Sequence, residues 1–181
     1  MKKQIEKLQA KDTTFVRSIS LILMLALFVP ATINAQSGKV NFAGDWTLNA
    51  EKSTQPQGGQ GGGMRMGGNF VATQEVNLLT VVRTRTGQDG QPVTTTMKYT
   101  LDGKESVNTS PRGDSKSVAN WSPDGKSLII ETSRTMEMNG ESRTMKSKEV
   151  WVLSDAKTLT VNITRQGQNG DVTSVMVYDK K

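Results

Sequence analysis

The chain has 181 residues, a formal net charge of +6, no Cys and no His. The missing thiols exclude disulfides and thiolate chemistry, and the missing imidazoles remove the commonest general base and metal ligand. Aromatic residues make up 5%, three of them Trp. Helical periodicity is missing beyond residue 36, so most of the chain reads as all-β.

The charge divides along the chain. Five basic and two acidic residues precede Ser18, leaving 18 basic and 15 acidic residues after it. No basic run marks a nucleic-acid surface, so no nucleic-acid partner is expected.

Residues 1–35 read as a secretory signal peptide. A basic region ends at Arg17, the apolar stretch Ile19–Val29 follows, Pro30 breaks it, and Thr32-Ile33-Asn34-Ala35 ends on a small residue. The apolar run falls short of the ~20 residues that a helical span needs, so no stable membrane span is expected after cleavage. An uncleaved anchor is the alternative, because the basic region is long. No Cys follows to carry a lipid. The expected location is exported, periplasmic or secreted, in a Gram-negative-type envelope.

Residues 36–181 read as one domain. Trp46-Thr47-Leu48 opens it as a short strand, with Trp46 and Leu48 on one face. Residues 55–68 form a Gly-rich stretch that cannot bury enough surface to offset its ordering entropy, so a flexible loop is expected there. Strands follow at Asn69–Thr73, Leu78–Thr86 and Val93–Leu101, with weaker ones near Glu105–Asn108 and Ser115–Trp121. A long hairpin runs from Ser127 to Leu153, a loop is expected at Leu153–Lys157, and a last hairpin spans Thr158–Gly167 and Asp171–Asp179. The pairs Asp89-Gly90, Asp102-Gly103, Asp124-Gly125, Asn139-Gly140 and Asn169-Gly170 supply the positive φ of tight turns.

One pattern recurs: Leu79-x-Val81-x-x-x-Arg85, Leu128-x-Ile130-x-x-x-Arg134 and Leu159-x-Val161-x-x-x-Arg165. Each copy is followed by a Gly turn and a return strand carrying Met97, Met145 or Met176. Residues paired across a turn share a face. Pivoting on Asn139-Gly140 pairs Arg134 with Met145 and Leu128 with Trp151. Pivoting on Asn169-Gly170 pairs Ile163 with Met176 and Val161 with Tyr178. A three-residue first loop pairs Arg83 with Met97, Val81 with Tyr99 and Leu79 with Leu101. The opposite face, with Thr80, Thr84, Glu131, Lys146, Asn162 and Thr164, is polar. One apolar face must be covered or closed. The expected fold is an antiparallel up-and-down meander of about nine to ten strands closing into a barrel, with Trp46, Leu48, Trp121, Leu153 and the apolar repeat positions inside.

Gly44-x-Trp46 on a first strand before a meander resembles the lipocalin-like (calycin) proteins. Phe42-x-Gly44-x-Trp46-x-Leu48-Asn49, Thr100-Leu101-Asp102-Gly103-Lys104-Glu105 and Lys157-Thr158-Leu159-Thr160-Val161 look like small exported bacterial proteins of that type. The resemblance spans most of residues 40–180 and implies a ligand cup without naming a ligand. The Gly-rich insertion departs from the pattern.

The candidate ligand-binding residues are Arg83, Arg85, Arg134 and Arg165, which share the apolar face by parity, with Met97, Met145, Met176, Tyr99, Tyr178 and Trp151. Guanidiniums around one mouth could hold a carboxylate or phosphate while Met and aromatic groups contact an apolar tail. The competing reading makes the arginines solvated rim residues on strand ends, since burying unpaired cations is costly.

Met64-x-Met66 and Met136-x-Met138 lack the His or Cys that would complete a copper site. Trp121-Ser122-Pro123-Asp124-Gly125 resembles a β-propeller blade motif, but one copy in so short a chain reads as ordinary turn chemistry. No catalytic residues, metal site or cofactor emerge: Ser and Thr lack a base, and the turn aspartates are explained by local hydrogen bonds. Two functions stay open. One is a non-enzymatic barrel binding a small hydrophobic or amphiphilic ligand, with an anionic head as one option. The other is a cell-envelope interaction or structural module with a packed interior.

Overall fold

The computed structural model describes residues 38–54, 68–87, 89–110, 113–138, 140–167 and 170–181. The leader and most of the Gly-rich stretch lie outside the described residues. Ten strands follow one another: β1 Gly44–Thr54, β2 Phe70–Gln74, β3 Leu78–Thr86, β4 Pro92–Thr100, β5 Glu105–Ser110, β6 Gly113–Trp121, β7 Ser127–Met138, β8 Glu141–Asp155, β9 Thr158–Gly167 and β10 Gly170–Lys180. All pairings are antiparallel, in the order β4-β3-β2-β1-β10-β9-β8-β7-β6-β5. The expected up-and-down meander is therefore present, curled into a nearly closed barrel.

The two ends of this order meet without a ladder. Asn108 of β5 closes the seam by imitating a strand residue. Its Oδ1 accepts from the Lys98 N–H at 2.7 Å and its Nδ2 donates to the Lys98 carbonyl at 2.9 Å. One step along, Ser106 Oγ accepts from the Thr100 N–H at 2.8 Å. These bonds satisfy main-chain groups that an open edge would leave bare.

The turns form as their residues dictate. Gly90, Gly103, Gly125, Gly140 and Gly170 all adopt positive φ. Asp89, Asp102 and Asp124 each accept from the main-chain N–H two residues on, and Asp155 does the same to Lys157. Such side-chain turns lower the cost of reversing the chain. At Ser122–Ser127 the turn is reinforced by Ser122, whose hydroxyl donates to Asp124 at 2.6 Å. That is the local function of the stretch resembling a propeller blade.

Three expectations need correction. The first hairpin pairs Leu79 with Tyr99, Val81 with Met97 and Arg83 with Thr95. Its loop holds residues 87–91, closed by the Gly87 N–H on the Gln91 carbonyl, and is longer than three residues. The last hairpin pairs Gly167 with Gly170, so Leu159 meets Tyr178, Val161 meets Met176 and Ile163 meets Ser174. The pivot lies one residue earlier than the Asn-Gly pair. Both slips are by an even number of residues, so every side chain keeps its face. The expected loop at Leu153–Lys157 is mostly strand: β8 runs to Asp155, and a short turn leads into β9. The central hairpin pairs Arg134 with Met145 and Leu128 with Trp151, as the Asn139-Gly140 pivot requires.

The core is continuous. Trp46, Leu79, Val81, Leu128, Ile130, Trp151, Leu159, Val161, Met176 and Tyr178 are buried inside it. Leu48, Met97, Trp121 and Leu153 are only partly buried at its border. Phe42, Phe70, Ala72, Tyr99, Leu101, Ala119 and Ile163 complete it. Phe42 precedes β1 on a segment crossing the barrel base. Gln74 anchors that segment, accepting from the Phe42 N–H at 2.9 Å and donating to the Val40 carbonyl at 3.0 Å. Phe42 stacks on Trp121 at 5.8 Å and meets Trp151 edge-on at 5.8 Å. Phe70 lies 4.9 Å from Tyr178 and 5.5 Å from Trp151. These aromatic groups close the base with side chains that prefer offset and edge contacts.

Candidate functional site

Moving from the base toward the turns of the β3–β4, β7–β8 and β9–β10 hairpins, the inward side chains change character. Above Val81 on β3 come Arg83 and then Arg85. Above Ile130 on β7 come Thr132 and Arg134. Above Ile163 on β9 comes Arg165. Descending in number on β8 from the buried Trp151, the same face carries Glu149, Ser147 and Met145. An apolar floor thus gives way to a belt of charged and hydroxyl groups.

Arg83, Arg134 and Arg165 are partly buried, whereas Arg85 is exposed. The Arg83 guanidinium lies 4.5 Å from the Phe70 ring centroid, a cation–π contact that anchors it to the floor. The Arg134 Nε is buried and has no hydrogen-bond partner among the described residues. Burial pulls the Arg165 guanidinium below its usual range, and the carboxylate of Glu149 opposes that.

Glu149 was not singled out by the sequence reading. Its parity with Trp151 was the available signal. It stands opposite the buried Ile130 and Ile163, and its Oε2 accepts from the Trp151 indole N–H at 2.9 Å. Glu149 is in none of the ion pairs found among the described residues. It therefore influences the arginines across a gap rather than by contact.

Two tyrosines sit beneath the belt. Burial raises the Tyr99 hydroxyl far above its ordinary value; Glu149 adds to this, and Arg83 and Arg134 oppose it. Burial also raises Tyr178, with Arg83 acting in the opposite direction. Both phenols thus stay protonated, facing the same charges, and Tyr178 is hydrogen-bonded with Arg83.

The other expected site residues distribute by depth. Met176 and Trp151 are buried in the floor, and Met97 is partly buried beside them. Met145, expected in the core, is 41% exposed. It belongs to the end of the β7–β8 hairpin that outruns its neighbours: the β6 ladder stops at Arg134 and the β9 ladder at Ser147. At the mouth the register sets Arg85 opposite Val93, Arg134 opposite Met145 and Arg165 opposite Val172. Val93 and Val172 are 38% and 41% exposed. Each repeat arginine thus faces an apolar residue across its own hairpin.

A separate groove of about 540 Å³ lies on the outer wall, lined by Lys116, Glu131, Lys146, Lys148, Thr164 and Gln166 among others. Lys116 pairs with Glu105 at 3.2 Å and Lys148 with Glu131 at 3.7 Å. Exposed pairs of this kind are a solvated face of small energetic weight. The inner belt, with its excess of partly buried cations, is the stronger candidate.

The fold these features define is a lipocalin-like, calycin-type barrel. The ileal bile acid-binding protein of zebrafish, solved in complex with cholic acid, is similar with a TM-score of 0.52 and 17% identity, covering 77% of this chain and 98% of that one. At that identity the likeness establishes the fold alone. No protein-family model matches the sequence. No curated protein matches it at significance.

Proposed function

We propose that this protein is an exported, non-enzymatic barrel that binds a small amphiphile with an anionic head. One observation carries the reading: three partly buried arginines, Arg83, Arg134 and Arg165, lie on the inward face with Glu149 as the carboxylate near them, and none of them forms an ion pair with it. Uncompensated cations in a partly dry interior are costly unless an anion completes them. An amphiphile supplies that anion and covers the exposed apolar groups at the mouth. The similar barrel's complex with cholic acid, a carboxylate on an apolar body, supports the same ligand class.

The non-enzymatic part rests on chemistry. The sequence has no His or Cys, and the inward carboxylate is already engaged by an indole. Export to the periplasm or beyond rests on the pattern of residues 1–35. The interaction-module reading keeps one supporting observation, the aromatic packing that fills the base.

Native mass spectrometry of the protein purified from its own source tests the proposal. The expected result is a co-purifying mass of lipid or sterol size, lost when Arg134 and Arg165 are both changed to Ala. A bare protein mass, with no adduct on adding cholate or oleate, would contradict it and favour the interaction module.

A further inference from the structure

We infer that the belt selects amphiphiles whose head is a dianionic tetrahedral oxyanion, a phosphate monoester, and that this head enters first while the tail stays at the mouth. This deepens the amphiphile reading and rests on it. Two sets of observations point the same way.

The first is the charge balance of the inward face. Arg83, Arg134 and Arg165 face inward, and Glu149, which the register sets nearer the floor opposite Ile130 and Ile163, is the carboxylate whose charge acts on Arg165 and, with Arg83 and Arg134, on Tyr99. Glu149 is held by the Trp151 indole at 2.9 Å and makes no contact ion pair with any of the three. The belt therefore carries two positive charges in excess. A monocarboxylate leaves one guanidinium uncompensated, whereas a phosphate monoester matches the excess. Its oxygens also suit the forked donors of Arg, including the unpartnered Nε of Arg134. The phenols of Tyr99 and Tyr178 lie beneath as neutral groups, Tyr178 already hydrogen-bonded with Arg83.

The second is the order of polarity with depth. Below the belt, Phe42, Trp46, Trp151 and Tyr178 are fully buried against one another and close the base. Beneath the arginines the base is packed with aromatic side chains that a tail would have to displace. Toward the mouth, Val93, Met145 and Val172 are exposed, level in register with Arg85, Arg134 and Arg165 across their hairpins. An apolar tail lying there covers surface that now faces water. The orientation is the reverse of a cup that swallows a tail and leaves the head at its rim.

Titration calorimetry on the protein at pH 8 tests this, with dodecyl phosphate, dodecyl sulfate, laurate and inorganic phosphate as probes, all kept monomeric. At that pH the phosphate monoester is a dianion, being well above its second pKa of about 6. The sulfate keeps the tetrahedral shape with one charge, and laurate has one charge on a planar head. Dodecyl phosphate is expected to bind about tenfold more tightly than either, as a second charge-assisted contact implies. Inorganic phosphate is expected to bind more weakly than dodecyl phosphate by a similar factor. Arg165→Gln should bring the three amphiphiles together in affinity. Met145→Ser should weaken dodecyl phosphate and leave inorganic phosphate unchanged. Equal affinity for all three amphiphiles would overturn the head selection while leaving the amphiphile reading intact. Inorganic phosphate binding as tightly as dodecyl phosphate, or Met145→Ser having no effect, would overturn the tail placement. Failure of every amphiphile to bind would overturn both.

Discussion

Glu149 shows how one side chain sets the character of the interior. Hydrogen-bonded to Trp151 and remote from contact pairing, it lowers the belt's positive field without quenching it. Glu149→Gln keeps an acceptor for the indole and removes the charge. It should strengthen binding of an anionic probe such as laurate by about three- to tenfold, since unit charges a few ångströms apart at a protein surface interact by kcal/mol amounts; a fluorescence titration of wild type and variant reads this directly. The turn aspartates make a separate prediction. Hydrogen bonds from Lys104, Ser122 and Lys157 hold the carboxyls of Asp102, Asp124 and Asp155 below their ordinary range. Folded-state pKa values below the unfolded value of about 3.9 give stability that is present above that pH and lost as pH falls through the folded values. The triple variant Asp102→Asn, Asp124→Asn, Asp155→Asn keeps the turn acceptors but cannot titrate. Its thermal midpoint should therefore fall less between pH 6 and pH 3 than the wild type's.

At the scale of elements, the inward or outward direction of a strand residue was more legible than its partner. Parity placed Arg83, Arg134, Arg165 and the apolar repeat on one face. Yet two of three hairpin registers were displaced, because turn length decides pairing: the first hairpin closes at Thr86 and Pro92, and the last at Gly167 and Gly170. The even displacement preserved the faces. The seam was not legible at all. Nothing in the sequence marks Asn108 as the side chain that satisfies Lys98 across ends of the sheet separated by the whole strand order. Asn108→Ala strips both partners from Lys98. Loss of such bonds should cost about 1–3 kcal/mol, visible as a lower denaturant midpoint and faster hydrogen exchange at the Lys98 amide. Unchanged exchange there would show that the seam is held by other contacts.

For the molecule as a whole, the barrel follows from one apolar face on a repeated hairpin, and that much was written in the Leu, Val/Ile and Arg spacing. Phe42 and Phe70 were missed because each lies near a strand start without flanking alternation, and their burial depends on neighbours from distant strands. The same holds for the charge excess of the belt: it emerges only when β3, β7, β8 and β9 face one another. Leu128, fully buried, and Val107, 56% exposed on the outer wall, give the contrast this architecture demands. Leu128→Ala should cost about 2–5 kcal/mol in urea unfolding, and Val107→Ala less than about 0.5 kcal/mol. The most direct test of the central claim is an amide, indole and guanidinium NMR shift map of the protein titrated with dodecyl phosphate. Binding at the belt predicts shifts of the Trp151 indole N–H and of the Arg134 and Arg165 side chains, with Lys116 and Lys148 on the outer wall unmoved. Shifts confined to the outer groove, or none at saturating probe, would contradict an interior site.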